Sequence, residues 1–368
     1  MRTASEPFKL RSRSFGPLST CRHPAVNHSW TRPSNSLMKI IASILLSLFL
    51  SFTAVGEEHP SGRIDYAMAY VPFLHGVVMY GGWAPPKWRP INEAWVWKGA
   101  SWTPWQIDGA PAFAHHSMAF DSKRNVLVIC GRPTPHEGGE YQIWENDGKS
   151  WSRKDNIPVN SSAQGDPKLT YDTRRGRLIL YVSSYNQDSE TWEFDGVRWK
   201  RMQSLHRPMR CDDNGCQFAY DGRLQKALLV GEERTDSNPL GWGGKEWGVN
   251  TGTGTQTWLW DGTDWTQLKG PQPPRAMWGG MTFDQRRHQL TLLTTRMETW
   301  VLRKDGWQKL SPATSPAPSP NGFFELAYDR EHKNSLFFGG ESRLTEPEKE
   351  WKYPETTWMF DGSKWVNK

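Results

Sequence analysis

Six times along the chain a tryptophan is followed seven positions later by another: Trp95/Trp102, Trp144/Trp151, Trp192/Trp199, Trp258/Trp265, Trp300/Trp307 and Trp358/Trp365. One spacing held through six copies is an internal repeat, and a repeat constrains the fold before any single residue does. Three copies read almost alike: TWEFDGVRW from Thr191, TWLWDGTDW from Thr257 and TWMFDGSKW from Thr357. Asp-Gly between short alternating runs predicts a tight hairpin with positive φ. The Asp-Gly pairs beginning at Asp147, Asp195, Asp261, Asp305 and Asp361 are read as turn chemistry, not as metal ligands.

A second motif precedes each hairpin: an aromatic residue, usually Asp, a polar turn, then an apolar strand. The copies are FDSKRNVLVICG from Phe120, YDTRRGRLILYV from Tyr171, YDGRLQKALLVG from Tyr220, FDQRRHQLTLLT from Phe283 and YDREHKNSLFFGG from Tyr328. The first copy, YVPFLHGVVMYGG from Tyr70, lacks the Asp. Each repeat therefore supplies four strands. Successive Asp positions 121, 172, 221, 284 and 329 lie 51, 49, 63 and 45 residues apart, around the ~50 of a kelch repeat.

These residues resemble the Kelch family and the central domain of galactose-oxidase-like proteins, over about residues 62–368. The carriers are Gly81-Gly82, Gly339-Gly340, the spaced tryptophans and Pro274-Arg275. Gly-Gly is missing from four copies, and the Asp-Gly hairpin replaces the commoner family turn. The resemblance implies an all-β, six-bladed Kelch-like β-propeller with four antiparallel strands per blade. Blades are expected at about 62–105, 112–154, 165–202, 215–268, 276–310 and 322–368. A blade cannot bury both faces alone, so packing sheets radially satisfies the pattern. The paired tryptophans are expected to fill the wide outer space between blades. Strand one opens the first repeat and strand four closes the sixth, so the ring is expected to close without strand exchange.

Residues 38–56, MKIIASILLSLFLSFTAVG, have the layout of a signal peptide: Lys39, an apolar run from Ile40 to Phe52, then small residues before Glu57. The apolar run is short for a membrane span, so membrane contact is expected only during export. Residues 1–37 are expected to be a disordered or mis-assigned extension, with Met38 as the true start. Residues 1–56 carry seven of the 45 Lys/Arg and one of the 39 Asp/Glu, leaving 38 of each beyond Gly56. That balance removes the electrostatic case for nucleic-acid binding. Cys211 and Cys216 form a candidate disulfide for an exported chain, and Cys130 is expected to be a buried thiol.

The long connections, from strand two to three and from blade to blade, are expected on one face, where insertions usually mark the binding surface. Tryptophans outside the pairs offer stacking platforms there: Trp83 and Trp88, Trp242 and Trp247 in the insertion 232–254, and Trp351 beside Tyr353. Counting back from the aromatic–Asp marker places Asp65, His115, Asp166, Trp278 and Phe323 at one level of the central channel. Ser117, Lys168, Gln217, Gly280 and Glu325 fall one step deeper. His115, Asp166, Lys168, Arg275 and Glu325 are the acid–base candidates at this mouth.

No nucleophile elbow, phosphate loop or paired-cysteine zinc motif is present. His115 and His116 are neighbours, so on a strand they face apart and cannot readily share a metal. No metal or cofactor is expected. Two readings stay open. One is an exported, non-catalytic binding or scaffold propeller that recognises a glycan or protein through the long-loop face. The other is a small-sugar enzyme resembling the kelch-type sialic-acid mutarotases.

Overall fold

The computed structural model describes residues 59–368, apart from 86–88, 107, 110, 134–139, 155–156, 158, 160–164, 184–188, 209–214, 233–253, 275–278, 318–321, 341 and 344–350. Residues 57–368 form one compact unit. Among the described residues it contains six four-stranded antiparallel sheets, with a two-stranded ribbon between strands two and three in blades 1 and 6. Blade 3 is typical, with strands Pro167–Asp172, Arg177–Val182, Glu190–Phe194 and Trp199–Arg201. Blade 1 opens at Ala67–Val71 and blade 6 ends at Trp365–Asn367, with no strand exchanged between the termini. The expected fold class is therefore what the chain adopts.

Both repeated motifs make turns through an aspartate. After strand one, Asp121, Asp172 and Asp221 each accept two backbone N–H bonds from the residues two and three positions on. This side-chain capping is why Asp ends the strand. Arg124 and Arg175 extend it, each bridging its turn Asp to a strand-three glutamate, Glu145 or Glu193. Blade 1 has Val71 where the others have Asp. Its turn is instead a short 3₁₀ segment, Pro72–Leu74, ended by His75 in the left-handed region.

In the outer hairpins Asp195, Asp261 and Asp361 cap in the same way, and the following glycines have φ of 96–102°. Blade 5 departs from this. Asp305 lies inside a two-residue turn, and Gly306 already pairs with Arg303 in strand four. The tryptophan spacing survives because the hairpin register is the same as in the other blades, Leu302 facing Trp307 as Trp260 faces Trp265; only the Asp-Gly pair sits two positions later.

The two tryptophans of a pair have different jobs. The second is buried in five blades, as Trp102, Trp151, Trp265, Trp307 and Trp365. In four blades its indole N–H donates to a threonine of the preceding blade: Trp102 to Thr357, Trp265 to Thr191, Trp307 to Thr257 and Trp365 to Thr299, at 2.8–2.9 Å. Each of these threonines stands immediately before the first tryptophan of its own blade. Blades 1 and 2 carry Ala94 and Ile143 there, which offer no hydroxyl to Trp151 and Trp199.

The first tryptophan is fully buried only in blade 3, as Trp192. Trp95, Trp144, Trp258, Trp300 and Trp358 are partly buried, as is Trp199. Filling of the inter-blade space by both rings is therefore corrected: the second ring fills it, and the first lies towards its edge. Five first tryptophans donate to a Glu or Gln two residues earlier, on the same strand face, as Trp192 does to Glu190 at 2.8 Å and Trp258 to Gln256 at 2.9 Å.

Trp265→Ala is expected to destabilise the protein by about 3–5 kcal/mol in denaturant unfolding, because a buried ring is lost and a cavity left. Trp258→Ala should cost clearly less, and Thr191→Val about 1 kcal/mol for one lost hydrogen bond.

Candidate functional site

The channel axis is built by alternation along each first strand. One position before the strand-end aromatic stands a small residue in every blade: Ala69, Ala119, Thr170, Ala219, Thr282 and Ala327. Two steps towards the strand start come Ser117, Lys168, Gln217 and Glu325, and two further come Asp65, His115, Asp166 and Phe323. Side chains two apart share a strand face, so polarity rises towards the long-loop end.

At that end the expected residues do converge. The His115 ring lies between two carboxylates, with Nδ1 3.0 Å from Asp166 Oδ2 and Nε2 3.5 Å from Asp65 Oδ2. All three side chains are nearly buried, at 10%, 4% and 4% exposure, so they form a closed cluster rather than the open mouth expected. Lys168 and Gln217 are also buried, and Glu325 is partly so. Asp65, His115 and Phe323 occupy equivalent places in three blades, and all three have positive φ, 51–56°. That conformation is uncommon outside glycine and is a genuine outlier for phenylalanine. It belongs to the point where the chain enters a blade, next to the axis.

The electrostatics follow from this packing. Burial alone would raise the Asp166 carboxyl, but His115, Lys168 and Arg132 outweigh it and hold it below its ordinary value. Glu325 moves the other way. Burial pushes it up to about 7, with Asp65 adding to the shift and Lys168 opposing it.

His115 and His116 precede the strand, with His115 in the left-handed region, and their rings have different neighbours. His116 is buried, with its ring stacked on Phe113 and edge-on to Tyr80, each 5.8 Å away between centroids. Neither ring nitrogen has a hydrogen-bond partner within normal geometry. Burial, then the neighbouring His115, lowers His116 to about 3, opposed by the Asp166 charge and then by the Tyr80 backbone. Sequence reasoning gave this residue no role. An unpaired histidine cannot be read from a pattern, because it depends on what surrounds the ring.

Trp83 is the loop aromatic that reaches the cluster. Its strand Trp83–Ala84 pairs with Arg89–Pro90 as a small ribbon between strands two and three of blade 1. Reciprocal backbone bonds with Ile64, at 2.8 and 3.0 Å, hold it beside Asp65. Its partly buried indole meets the His115 ring edge-on, with centroids 6.1 Å apart. Blade 6 builds a matching ribbon, Ser342–Arg343 with Trp351–Lys352. Tyr353 follows it, partly buried, with its backbone against Gly62. The side chain of Trp351, and Trp88, Trp242, Trp247, Trp278 and Arg275, lie outside the described residues. Cys216 is disulfide-bonded, its expected partner Cys211 lies outside the described residues, and Cys130 is a free buried cysteine. Among the described residues no group of three His, Cys, Asp or Glu side chains is arranged to hold a metal ion.

Fold and axis together define a six-bladed β-propeller with four antiparallel strands in each blade. No protein-family model and no curated protein matches the sequence. Solved structures do match it in fold. YjhT, a Kelch-type propeller, is 12% identical, with a TM-score of 0.55, over 84% of this chain and 99% of its own. The SapL1 lectin, in complex with alpha methyl fucoside, is 11% identical, with a TM-score of 0.51, over 83% and 95%. AofleA from Arthrobotrys oligospora is 11% identical, with a TM-score of 0.51, over 83% and 85%. At such identities the likeness is one of fold alone.

His116 and Glu325 predict opposite pH effects on stability. His116 is neutral in the fold, so its contribution is full above about 6.5 and is lost as pH falls towards 3, while the unfolded chain takes up the proton. Glu325 contributes below its ordinary 4.5, and that contribution is lost as pH rises through about 7. Thermal unfolding of His116→Phe should therefore fall less than wild type on acidification. Glu325→Gln should gain on wild type between pH 5 and 8.

Proposed function

We propose that this chain is an exported, non-catalytic carbohydrate-binding propeller whose long-loop face captures a glycan beside Trp83. The carrying observation is the contact of Trp83 with His115, itself set between Asp65 and Asp166. Sugars are bound by an aromatic face that covers C–H groups and by fixed polar groups at its edge that bond the hydroxyls. Trp83 supplies the first, held in place by the buried Asp–His–Asp string beneath it, and exposed polar side chains of the same ribbon, such as Arg89, supply the second. Tyr353 and the blade 6 ribbon extend the same face, and the sequence offers Trp88, Trp242, Trp247 and Trp351 as further candidates. SapL1, of the same fold, is a lectin crystallised with a fucoside, which favours a sugar over a protein as the ligand. Export rests on the 38–56 segment and is supported by the disulfide at Cys216, since such bonds persist in oxidising compartments.

The enzyme reading has one observation of its own: Glu325, poised near neutral pH in the same cluster as His115. It conflicts with the burial of that cluster. The adjoining cavity, lined by Asp65, Lys168, Gln217, Glu325 and four neighbours, is about 10 Å³, room for roughly one water and not for a sugar ring.

A glycan array followed by titration of tryptophan fluorescence tests the proposal. Trp83→Ala should weaken capture at least tenfold, and His115→Ala should weaken it without abolishing any turnover. Catalysed anomer exchange of a bound sugar, lost in His115→Ala, would favour the enzyme. No response to any sugar would turn attention to a protein ligand.

A further inference from the structure

Antiparallel strands put both sets of short turns at one end of the ring and the long connections at the other. The Trp83 ribbon, between strands two and three, belongs to the long-loop end. The strand-one turns and the outer hairpins share the opposite end. They also touch there. Gly196, Gly262 and Gly362 of three outer hairpins lie against the side chains of Arg124, Arg175 and Arg287, each in the strand-one turn of the preceding blade. The short turns thus make one continuous surface around the channel opening.

The charge of its inner ring is one-sided. The six strand-one turns, 72–75, 122–125, 173–176, 222–225, 285–288 and 330–333, hold nine Lys or Arg and one acid, Glu331. The strand-end aspartates beside them are buried and already matched. Asp121, Asp172, Asp221 and Asp284 pair with Arg124, Arg175, Arg223 and Arg287. Glu331 accepts from Tyr70 at 2.8 Å and lies 3.1 Å from His75 Nδ1. Five cations remain, Lys123, Arg174, Arg286, Arg330 and Lys333. All are exposed, and none makes an ion pair among the described residues. The outer hairpins carry five Lys or Arg and six Asp, so the positive excess belongs to the ring around the channel.

Apolar side chains interrupt this surface in one quarter. Among the described residues three large hydrophobic side chains are exposed: Val197 at 87%, Leu205 at 91% and Leu224 at 39%. Val197 stands in the outer hairpin of blade 3 and Leu224 in the strand-one turn of blade 4. Leu205 joins them through the next residue. His206 is tied to Asp264 in the outer hairpin of blade 4, by its backbone N–H at 2.9 Å and its ring at 2.7 Å. Single exposed hydrophobics are ordinary. Three on adjacent blades, on the one face with unmatched cations, have the composition of a membrane-surface patch. A soluble polyanion would engage the cations and leave the apolar tips in water.

We infer that the turn face docks on an anionic phospholipid surface, with the five cations against headgroup phosphates and Val197, Leu205 and Leu224 at the acyl boundary. Membrane contact then extends beyond the export step expected from residues 38–56. The Trp83 face points away from the bilayer. The inference does not rest on the glycan reading.

Residues 40–52 could hold the full chain to any bilayer, so the deciding readout is which part of the fold the lipid covers. Residue-resolved lysine acetylation of the full chain is compared on vesicles of phosphatidylcholine alone and of phosphatidylcholine with about a third phosphatidylglycerol. On the anionic vesicles Lys123 and Lys333 should react at least five times more slowly, and Lys269 and Lys352 at unchanged rates. Each cation at an anionic surface tightens binding about fivefold. Lys123→Glu/Arg174→Glu should therefore weaken flotation with the anionic vesicles at least tenfold, and Lys269→Glu/Arg296→Glu, an equal change in net charge, less than twofold. Val197→Ser/Leu224→Ser should weaken it at least threefold, and Trp83→Ala should leave it unchanged. Should a variant not fold, the acetylation pattern of the unmodified protein decides. Equal reactivity of Lys123 and Lys333 on both vesicles, or flotation retained in a folded Lys123→Glu/Arg174→Glu, would overturn the inference. So would binding to soluble polygalacturonate as tight as to the vesicles and indifferent to Val197→Ser/Leu224→Ser, which would assign the face to an acidic polymer.

Discussion

Everything in this ring depends on one contact made between blades: an indole from strand four of one sheet buried against strand three of the sheet before it. A radial array widens outward, and only a large ring can fill the wedge that results. Where the preceding blade offers a threonine, the indole N–H is satisfied without water, so burial carries no unpaired donor. The bond from Trp102 to Thr357 joins the first blade to the last and is the same bond that joins blades 3 and 4. Closure thus uses the ordinary inter-blade contact in place of an exchanged strand. The weakest joints by this measure are those received by Ala94 and Ile143, on either side of blade 2.

The axis follows a different rule. The first strands present their inner side chains in layers: small one residue before the strand-end aromatics, then Ser117, Lys168, Gln217 and Glu325, then Asp65, His115 and Asp166. Charges that crowd at one end must pair or lose their charge. His115 with Asp65 and Asp166 takes the first course, and Glu325, raised towards 7, takes the second. That crowding closes one end of the channel and leaves the other as a well. The two ends are consequently unlike. One presents an aromatic ribbon over a buried polar string, and the other opens into a channel of about 550 Å³ whose floor carries Lys168, Gln217 and Glu325.

The layers can be counted from the aromatic–Asp markers because strand geometry is periodic, which is why Asp65, His115, Asp166, Lys168 and Glu325 can be assigned to neighbouring levels from the sequence. What counting could not provide was depth. Whether these residues form an open mouth or a sealed cluster depends on how far six chains approach the axis. The same limit hid the orphaned ring of His116 and the contact of Trp83 with His115, since Trp83 arrives from a connection with no period to count.

By itself the sequence determined the number of blades, the four strands in each, their turns and the side chains that line the axis. All of these follow from local rules: alternation, capping by aspartate, and a spacing repeated six times. Only the tertiary structure decided which tryptophan of each pair is buried, which end of the channel is closed, and which loop aromatic meets the polar cluster. Those outcomes depend on distances between segments far apart in the chain, which no local pattern encodes.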